Sequence, residues 1–180
     1  MVGKSEVREV PINVWMRRPT LVGVPSMPIL PPPLVVRRAH VEEAGALAAL
    51  LGQAFEGEVW DAAGTERDLF CDETVKATLV VADGERLLST ASLQVRPDDP
   101  ECGVVHWVAT DRDRRREGLA RALVIGVLRM GEQAGCREAR LRTHTYPLAA
   151  IPLYLQLGFK PLVTDDSERE VWQRVIRLLS

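Results

Sequence analysis

One segment, residues 103–135, constrains the fold of this chain more than any other. It opens with the apolar run GVVHWVAT, which is typical of a buried strand. An arginine-rich loop follows, and from Gly118 onward apolar residues recur at helical spacing, namely Leu119, Leu123, Val127, Met130 and Ala134. Gly135 is a suitable end for that helix. The segment therefore predicts a strand that passes through a tight loop into a helix.

Patterns elsewhere extend this unit into a mixed sheet. Strands are predicted at residues 34–39, 78–82, 86–95, 138–143 and 159–163, and helices at 41–55, 65–73, 148–158 and 167–179. Asp83-Gly84 between two of the strands predicts a hairpin with a type I′ turn, and Ser167 is the expected N-cap of the last helix. Antiparallel hairpins followed by β-α-β units indicate an α/β or α+β fold with a mixed central sheet.

The first 33 residues differ from the rest of the chain. Six of the twelve prolines lie between Arg17 and Pro33, and proline removes a backbone donor and fixes φ. We expect residues 1–33 to form a proline-rich extended arm whose apolar side chains pack on the domain; a disordered leader is the alternative. A chain of 180 residues has the length of one domain, so we expect residues 34–180 to form it.

Composition narrows the classes of function. With 23 basic and 25 acidic residues the formal charge is −2, which argues against a general nucleic-acid binder. Three scattered cysteines without a C-x-x-C pair form neither a disulfide framework nor a structural zinc motif. The sequence contains no signal-peptide pattern and no uncharged apolar run of about 18 residues. We therefore expect a cytoplasmic protein with no membrane partner and no metal.

The loop before Gly118 has the features of an anion site. A helix N-terminus presents free backbone N–H groups and the positive end of the helix dipole, and five arginines lie between Asp111 and Leu123. The patterns G-x-x-x-x-G-K-[ST] and G-x-G-x-x-G are both absent, and what remains is R-x-x-G-x-A over residues 115–120. From this motif alone, a phosphate site and a solvated helix start are both open.

A second motif lies downstream, in the sequence IPLYLQLGFKP of residues 151–161. The combination of R-x-x-G-x-A, a helix, a strand and A-x-x-L-Y-x-x-x-G-F resembles the GNAT superfamily of N-acetyltransferases over roughly residues 34–163. The resemblance implies a single GNAT-like domain with a mixed central sheet and helices on both faces. It also implies that two parallel strands splay apart near Trp107 and Leu141.

The resemblance assigns a cofactor site to these residues. In the family, the R/Q-x-x-G-x-G/A loop binds the pyrophosphate of acetyl-coenzyme A through backbone amides, and the end of the preceding strand pairs with the pantetheine arm. Acetyl-coenzyme A is therefore the expected acyl donor. The positions that match are Val108, Ala109, Thr110, Arg115, Arg116, Glu117, Gly118, Leu119, Ala120 and Arg121.

The resemblance also implies direct transfer of an acetyl group to an amine, with Tyr154 as the acid that protonates the leaving thiolate. Packing of its helix is the alternative role for Tyr154. Several members carry a glutamate base on a splayed strand, where this chain has none, and His106 and His144 are the titratable substitutes. A water relay from Glu56 or Glu58 is equally open.

Two features depart from the family. Many members have an asparagine seven residues before the tyrosine, where this chain has Pro147, and many end in a strand hairpin where this chain predicts a helix. Family acceptors therefore do not transfer to this chain. We expect the loop around Glu58 and residues 142–147 to line the acceptor pocket, with Trp60 and Tyr146 as aromatic walls; core packing is the alternative for Trp60.

The leading hypothesis is an N-acetyltransferase that uses acetyl-coenzyme A on a small-molecule amine or on a protein N-terminus or lysine. The alternative is a non-catalytic acyl-coenzyme A-binding module of the same fold, which the absent asparagine and glutamate support. Nucleic-acid binding through the arginines is a third hypothesis, against which the overall charge argues. The proline arm and the last helix are candidates for a homodimer contact.

Overall fold

A computed structural model describes residues 12–55, 57–144 and 150–179. The chain divides into two compact units, a larger one of Arg18–Leu141 and a smaller one that includes Arg142–Ser180. The strands are β1 Asn13–Arg18, β2 Val35–Arg38, β3 Val75–Asp83, β4 Arg86–Arg96, β5 Asp99–Thr110, β6 Glu138–His144 and β7 Lys160–Pro161. The helices are α1 Ala44–Ala54, α2 Ala62–Glu66, α3 Leu119–Gln133, α4 Ile151–Gln156 and α5 Asp166–Leu179.

The larger unit contains a mixed sheet in the order β2-β3-β4-β5-β6. Its first four strands are antiparallel neighbours, and long apolar runs on β3 and β4 make these two strands the buried centre of the sheet. β6 pairs with β5 in parallel, from Cys102 opposite Glu138 to Val105 opposite Leu141. The unit therefore combines a hairpin meander with the β-α-β connection that the sequence predicts.

Helices cover both faces of this sheet. Val80 of β3 belongs to a core cluster with Leu47 and Leu51 of α1. Its neighbour Leu79 approaches α3 so closely that a Cβ on Gly126 would lie 2.9 Å from the Leu79 Cδ1. Because successive strand residues point to opposite faces, α1 and α3 pack on opposite sides of β3.

Part of the predicted arm lies on α3. The Leu21 N–H donates to the Arg137 carbonyl at 2.9 Å, and the Arg129 guanidinium donates to the Pro25 carbonyl at 2.9 Å. Leu21 is buried, whereas Ile29 is 98% exposed. The arm is therefore held at specific points, with some of its apolar residues buried and others exposed.

In the smaller unit, β1 pairs antiparallel with β7, with Met16 opposite Pro161. The apolar face of β1 is buried, and the Leu162 N–H donates to the Trp15 carbonyl at 3.0 Å. α5 buries Trp172 and Val175. The sequence prediction missed β1 because its partner strand lies more than a hundred residues away and the following prolines mask the pattern.

Two local predictions are wrong. Asp83 pairs with Arg86, so the hairpin loop is Gly84–Glu85, and Glu85 is not among the described residues with positive φ, which excludes a type I′ turn. At α5 the Glu168 N–H donates to the Asp165 carboxylate at 2.8 Å, so Asp165 rather than Ser167 caps the helix. Within the described ranges, no helix is both long and apolar enough to cross a membrane.

Candidate active site

The loop after β5 is anchored at its first residue, Asp111. One carboxylate oxygen accepts the Asp113 N–H at 3.0 Å, and the other accepts the Arg86 guanidinium at 2.7 Å. These bonds, the backbone one first, hold the pKa of the buried Asp111 carboxyl below its usual range. The Asp111 N–H donates to the Leu88 carbonyl at 2.8 Å, which ties the loop to β4.

The loop enters α3 through Gly118. This residue is the N-cap, with φ 78° and ψ 5°, and no atom lies within 4 Å of the position that a Cβ would take. Arg116 also has a positive φ, of 68°, which is unusual for a residue other than glycine. The backbone N–H groups in the first turn of this 15-residue helix have no partner within the helix, so this helix end is a suitable cradle for a phosphate group.

The five arginines around this loop have different environments. Arg114 is engaged by Glu117 through three hydrogen bonds of 2.8–3.0 Å, and Arg112 donates to the Gln53 carbonyl at the end of α1. No side-chain partner is found among the described residues for Arg115, Arg116 or Arg121. The loop therefore keeps three guanidinium groups that can attract an anion.

A bulge interrupts β5 just before the loop. Thr90 of β4 lies opposite Ala109, whereas Ser92 lies opposite His106, so β5 carries one extra residue. Trp107 has a φ of 49° at this point. A bulge leaves a backbone group outside the ladder and re-aims the neighbouring side chains, and bulges are frequent next to active sites.

A cleft of about 380 Å³ opens beside this bulge, with a smaller recess of about 110 Å³ adjoining it. We call the two together the α2 cleft, because α2 and the π-helical turn Arg67–Cys71 that follows it form one wall. The larger part is lined by Arg67, Asp68, Cys71, Asp72, Gln94, His106 and Trp107. The recess adds Glu58, Val59, Trp60, Asp61, Gly64 and Thr65.

Aromatic rings form one side of the α2 cleft. The Trp60 and Trp107 rings meet edge to face with centroids 4.6 Å apart, and Phe55 lies 5.4 Å from Trp107. The same three rings pack against the core cluster that contains Leu69. Trp60 therefore lines the cleft and packs on the core, and its role as a wall of the acceptor pocket stays a prediction.

Asp72 is held in the cleft wall by a chain of hydrogen bonds. Its carboxylate accepts the Thr74 hydroxyl at 2.7 Å and the Thr74 N–H at 2.8 Å, and the Thr74 hydroxyl in turn accepts the Gln94 amide at 2.9 Å. These bonds, the hydroxyl first, hold the pKa of the Asp72 carboxyl below its usual range, with a smaller contribution from His106. Asp72 is therefore a fixed anion at neutral pH.

The predicted catalytic residues fall in both units. His106 lies in the larger unit, half-buried in the α2 cleft. His144 is the exposed last residue of β6 and belongs to the smaller unit. Tyr154 lies in α4 of that unit, 5% exposed, with its ring 6.0 Å from Phe159, and burial raises the pKa of its phenol.

The other residues that the sequence analysis placed near the acceptor either line the α2 cleft or lie outside the described residues. Glu58 and Trp60 line the recess of the α2 cleft. Glu56, Tyr146 and Pro147 lie outside the described residues. Sequence reasoning missed Asp72, Gln94 and the bulge; the D-x-T spacing of Asp72 and Thr74, which is typical of a side chain that bonds its own backbone two residues on, is the one signal that indicates any of them.

Comparisons with known proteins agree on one family. The model of the Acetyltransferase (GNAT) family matches residues 46–159. The chain is 41% identical to N-acetyltransferase 8 of Homo sapiens over 68 residues, 38% of this chain and 29% of that protein. It is 27% identical over 171 residues, 91% of this chain and 56% of the relative, to mycothiol acetyltransferase of Actinosynnema mirum. The chain thus spans well under two thirds of these relatives.

A solved structure supports the fold. The GCN5-related N-acetyltransferase from Sphaerobacter thermophilus superimposes with a TM-score of 0.69 at 20% identity, covering 85% of this chain and 49% of that one. The likeness confirms the predicted α/β fold with a mixed sheet of this family. At 20% identity, this similarity is evidence for the fold and for nothing more.

Proposed function

Because the chain belongs to the GNAT acetyltransferase family, we propose that it transfers the acetyl group of acetyl-coenzyme A directly to an amine. The observation that carries this proposal is the entry into α3, where Gly118 has a positive φ, no neighbouring atoms at the position of a Cβ, and leads directly into the first turn of a 15-residue helix. Such a site suits the pyrophosphate of a coenzyme A thioester.

The proposed donor site follows the chain from β5 into α3. Backbone N–H groups from Gly118 to Arg121 bind the pyrophosphate, and Arg115 and Arg116 add long-range attraction. Residues Val108–Thr110 offer their backbone to the pantetheine arm, as a peptide adds to a sheet edge. The thioester supplies an activated acetyl group; the protein orients it and keeps the acceptor amine in reach.

The proposed acceptor chemistry takes place beside the Trp107 bulge. His106 lines the α2 cleft and accepts a proton from the acceptor ammonium, so that a neutral amine attacks. The backbone group that the bulge leaves outside the ladder can stabilise negative charge on the acetyl oxygen. His144 is the alternative base, and the pair of variants His106→Gln and His144→Gln separates the two by which one lowers kcat.

Tyr154 is proposed as the acid that protonates the leaving thiolate. Its burial raises the pKa of the phenol, so the side chain keeps its proton at neutral pH, as an acid must. The residue is the fourth of six in α4, and the sequence around it matches the second family motif. Its alternative role is packing against Phe159, which Tyr154→Phe would preserve.

The test uses the full chain, acetyl-coenzyme A and a panel of primary amines, with release of coenzyme A and mass of the product as readouts. We expect transfer to at least one amine. Tyr154→Phe should lower kcat about 100-fold and leave the acetyl-coenzyme A affinity within about twofold, because only the proton donor is removed. An unchanged kcat would reject Tyr154 as the acid.

A second function has two observations in its favour. Tyr154 is 5% exposed, and no aspartate or glutamate lies in residues 103–110, where several family members carry a base. A non-catalytic acyl-coenzyme A-binding module would bind the thioester with the Gly118 cradle and transfer nothing. Calorimetric binding of acetyl-coenzyme A without acetylation of any amine in the panel would identify this function.

We also propose that the protein is cytoplasmic. Cys71, Cys102 and Cys136 are unpaired thiols, as is usual in a reducing compartment. The acceptor is proposed as a small-molecule amine or a protein amine, and the arm and α5 stay candidates for a homodimer contact. Size-exclusion chromatography with light scattering tests the last point.

A further inference from the structure

The α2 cleft is acidic. Four carboxylates line it, those of Glu58, Asp61, Asp68 and Asp72, against the single guanidinium of Arg67. This balance is opposite to that of the loop before α3, where three guanidinium groups are available. A ligand in the cleft therefore meets an excess of negative charge, whereas a ligand at the loop meets positive charge.

The one positive group of the cleft is already neutralised. The Arg67 Nε lies 2.8 Å from the Asp68 carboxylate, and both side chains are substantially exposed. This pair leaves Asp72 without a guanidinium partner among the described lining residues, and His106 is the lining side chain whose positive charge, when present, acts on the Asp72 carboxylate. The chain of hydrogen bonds from Gln94 through Thr74 fixes the Asp72 carboxylate without giving it a counter-charge.

Two independent observations indicate that the cleft is built for a ligand. Thr65 lines the recess, is 0% exposed, and its hydroxyl has no hydrogen-bond partner among the described residues. Buried hydroxyls are nearly always bonded, so a partner from outside is expected. Trp60 and Trp107 present aromatic rings to the same space, and aromatic rings beside carboxylates are the chemistry that binds an alkylammonium group.

We propose that the acceptor is a small primary amine that carries a second positive charge, with Asp72 as the residue that binds the second charge. The proposal rests on the proposed acetyl transfer and adds the substrate class to it. One amine of the acceptor reacts beside His106 and Trp107. The other, still protonated, pairs with Asp72, while the aliphatic chain lies against the aromatic rings.

The experiment compares three acceptors of equal length with the full chain and acetyl-coenzyme A. They are 1,5-diaminopentane, pentylamine and 5-aminopentanoate, which differ in the remote group only: cationic, apolar or anionic. We expect kcat/KM for the diamine to exceed that of pentylamine by about 10-fold or more, with 5-aminopentanoate the poorest acceptor. Equal values for the three amines would overturn the proposal and leave the acetyltransferase function intact.

Asp72→Asn tests the residue. The amide oxygen can still accept from Thr74, so the local turn is kept while the charge is removed. We expect the ratio of kcat/KM for diamine to that for pentylamine to fall about 10-fold. Glu85→Gln is the matched control, since Glu85 is an exposed acid in the β3–β4 turn, and it should leave the ratio unchanged. A ratio that is the same in Asp72→Asn and wild type would reject Asp72.

Failure of the transfer reaction is a separate outcome. If no amine is acetylated, the proposed function fails, and calorimetric titration of 1,5-diaminopentane into the full chain then tests the cleft directly. Binding that Asp72→Asn abolishes and Glu85→Gln retains would support the cationic-amine site. Absence of binding to the wild-type chain would overturn it.

Discussion

The loop before α3 and the α2 cleft belong to the same compact unit but are built in different ways. The loop is one contiguous stretch, Asp111–Arg121, and its cradle consists of backbone in an uncommon conformation. The cleft is assembled from side chains on α2, the π-helical turn, β4 and β5. The first site therefore depends on what φ a few residues can adopt, and the second on how distant segments pack.

The two sites also have opposite charge. Arg115, Arg116 and Arg121 are available at the loop, whereas the cleft contains more carboxylates than cations. Anionic and cationic ligands would thus be drawn to different sites, the loop that follows β5 and the cleft beside the Trp107 bulge. Substitutions of residues that would contact a ligand at one site should therefore affect that ligand class, whereas a residue that links the two sites should affect both.

The largest effect is expected at Gly118. Gly118→Ala places a Cβ in the cradle at a φ of 78° and should raise the Kd for acetyl-coenzyme A about 30- to 100-fold, which is roughly 2–3 kcal/mol of binding. Calorimetric titration measures the Kd.

The control is Gly135→Ala, at the other end of the same helix, where φ is 91° and the space is also open. Both variants should lose about 1 kcal/mol of the free energy of unfolding, because alanine is strained at positive φ. If Gly135→Ala weakened acetyl-coenzyme A binding as much, the effect would come from helix stability, and the cradle would be rejected.

Sequence alone predicted much of the loop, because its signals are local. Helical spacing after Gly118 places the end of the loop, and R-x-x-G-x-A marks the positions that we propose to bind the pyrophosphate. Pairing of Arg114 with Glu117 was not predicted, since a side chain three residues away competes with a ligand only in the folded geometry. The sequence shows five arginines, but it does not show that Arg112 and Arg114 bond within the protein and leave three for an anion.

The next effect concerns the anchor of the loop, Asp111. Its pKa is lowered, so its contribution to stability is present above the ordinary carboxyl pKa near 4 and is lost as pH falls through the lower folded value. Asp111→Asn should reduce the free energy of unfolding by about 1–2 kcal/mol at neutral pH. This difference from wild type should shrink between about pH 5 and pH 3.

Urea unfolding of both proteins across that pH range provides the measurement. Asp98→Asn is the control, because Asp98 is an exposed acid paired with Arg96 in the β4–β5 turn and should change stability by less than about 0.5 kcal/mol. A difference for Asp111→Asn that stays constant with pH would show that the carboxylate charge is not what anchors the loop.

The cleft was less predictable than the loop, and the reason is its construction. The bulge at Trp107 arises from the register between residues 90–92 and 106–109, which no local pattern in β5 encodes. Asp72 carries its own turn signal, but its place opposite His106 depends on how the π-helical turn packs on the sheet. Strand β1 was missed for the same reason, since its pairing with β7 joins the two ends of the chain.

A smaller effect would reveal coupling between the sites. Arg112 in the loop donates two hydrogen bonds to the Gln53 carbonyl at the end of α1, just before the segment that leads to α2. Arg112→Ala should therefore raise both the Kd for acetyl-coenzyme A and the KM for the diamine, each by about threefold to fivefold. Initial rates with each ligand varied in turn measure this.

Arg96→Ala is the matched control, an exposed arginine at the end of β4 whose partner Asp98 is equally exposed. It should leave both constants within about 1.5-fold. If Arg112→Ala changed the Kd for acetyl-coenzyme A and left the KM for the diamine unchanged, the two sites would be independent.

The smallest effect separates backbone from side-chain contributions within the loop. If the backbone cradle supplies most of the affinity and Arg115 and Arg116 supply attraction, then replacing both arginines by alanine should raise the Kd for acetyl-coenzyme A by only about threefold at low salt. The wild-type Kd should rise with ionic strength between about 50 and 500 mM, and the double variant should show a flatter dependence.

Arg174→Ala, in the exposed face of α5, controls for net charge. If the double variant raised the Kd more than Gly118→Ala does, the arginine side chains would contribute more to acetyl-coenzyme A binding than the backbone. The loop, like the cleft, would then be a site built from side chains.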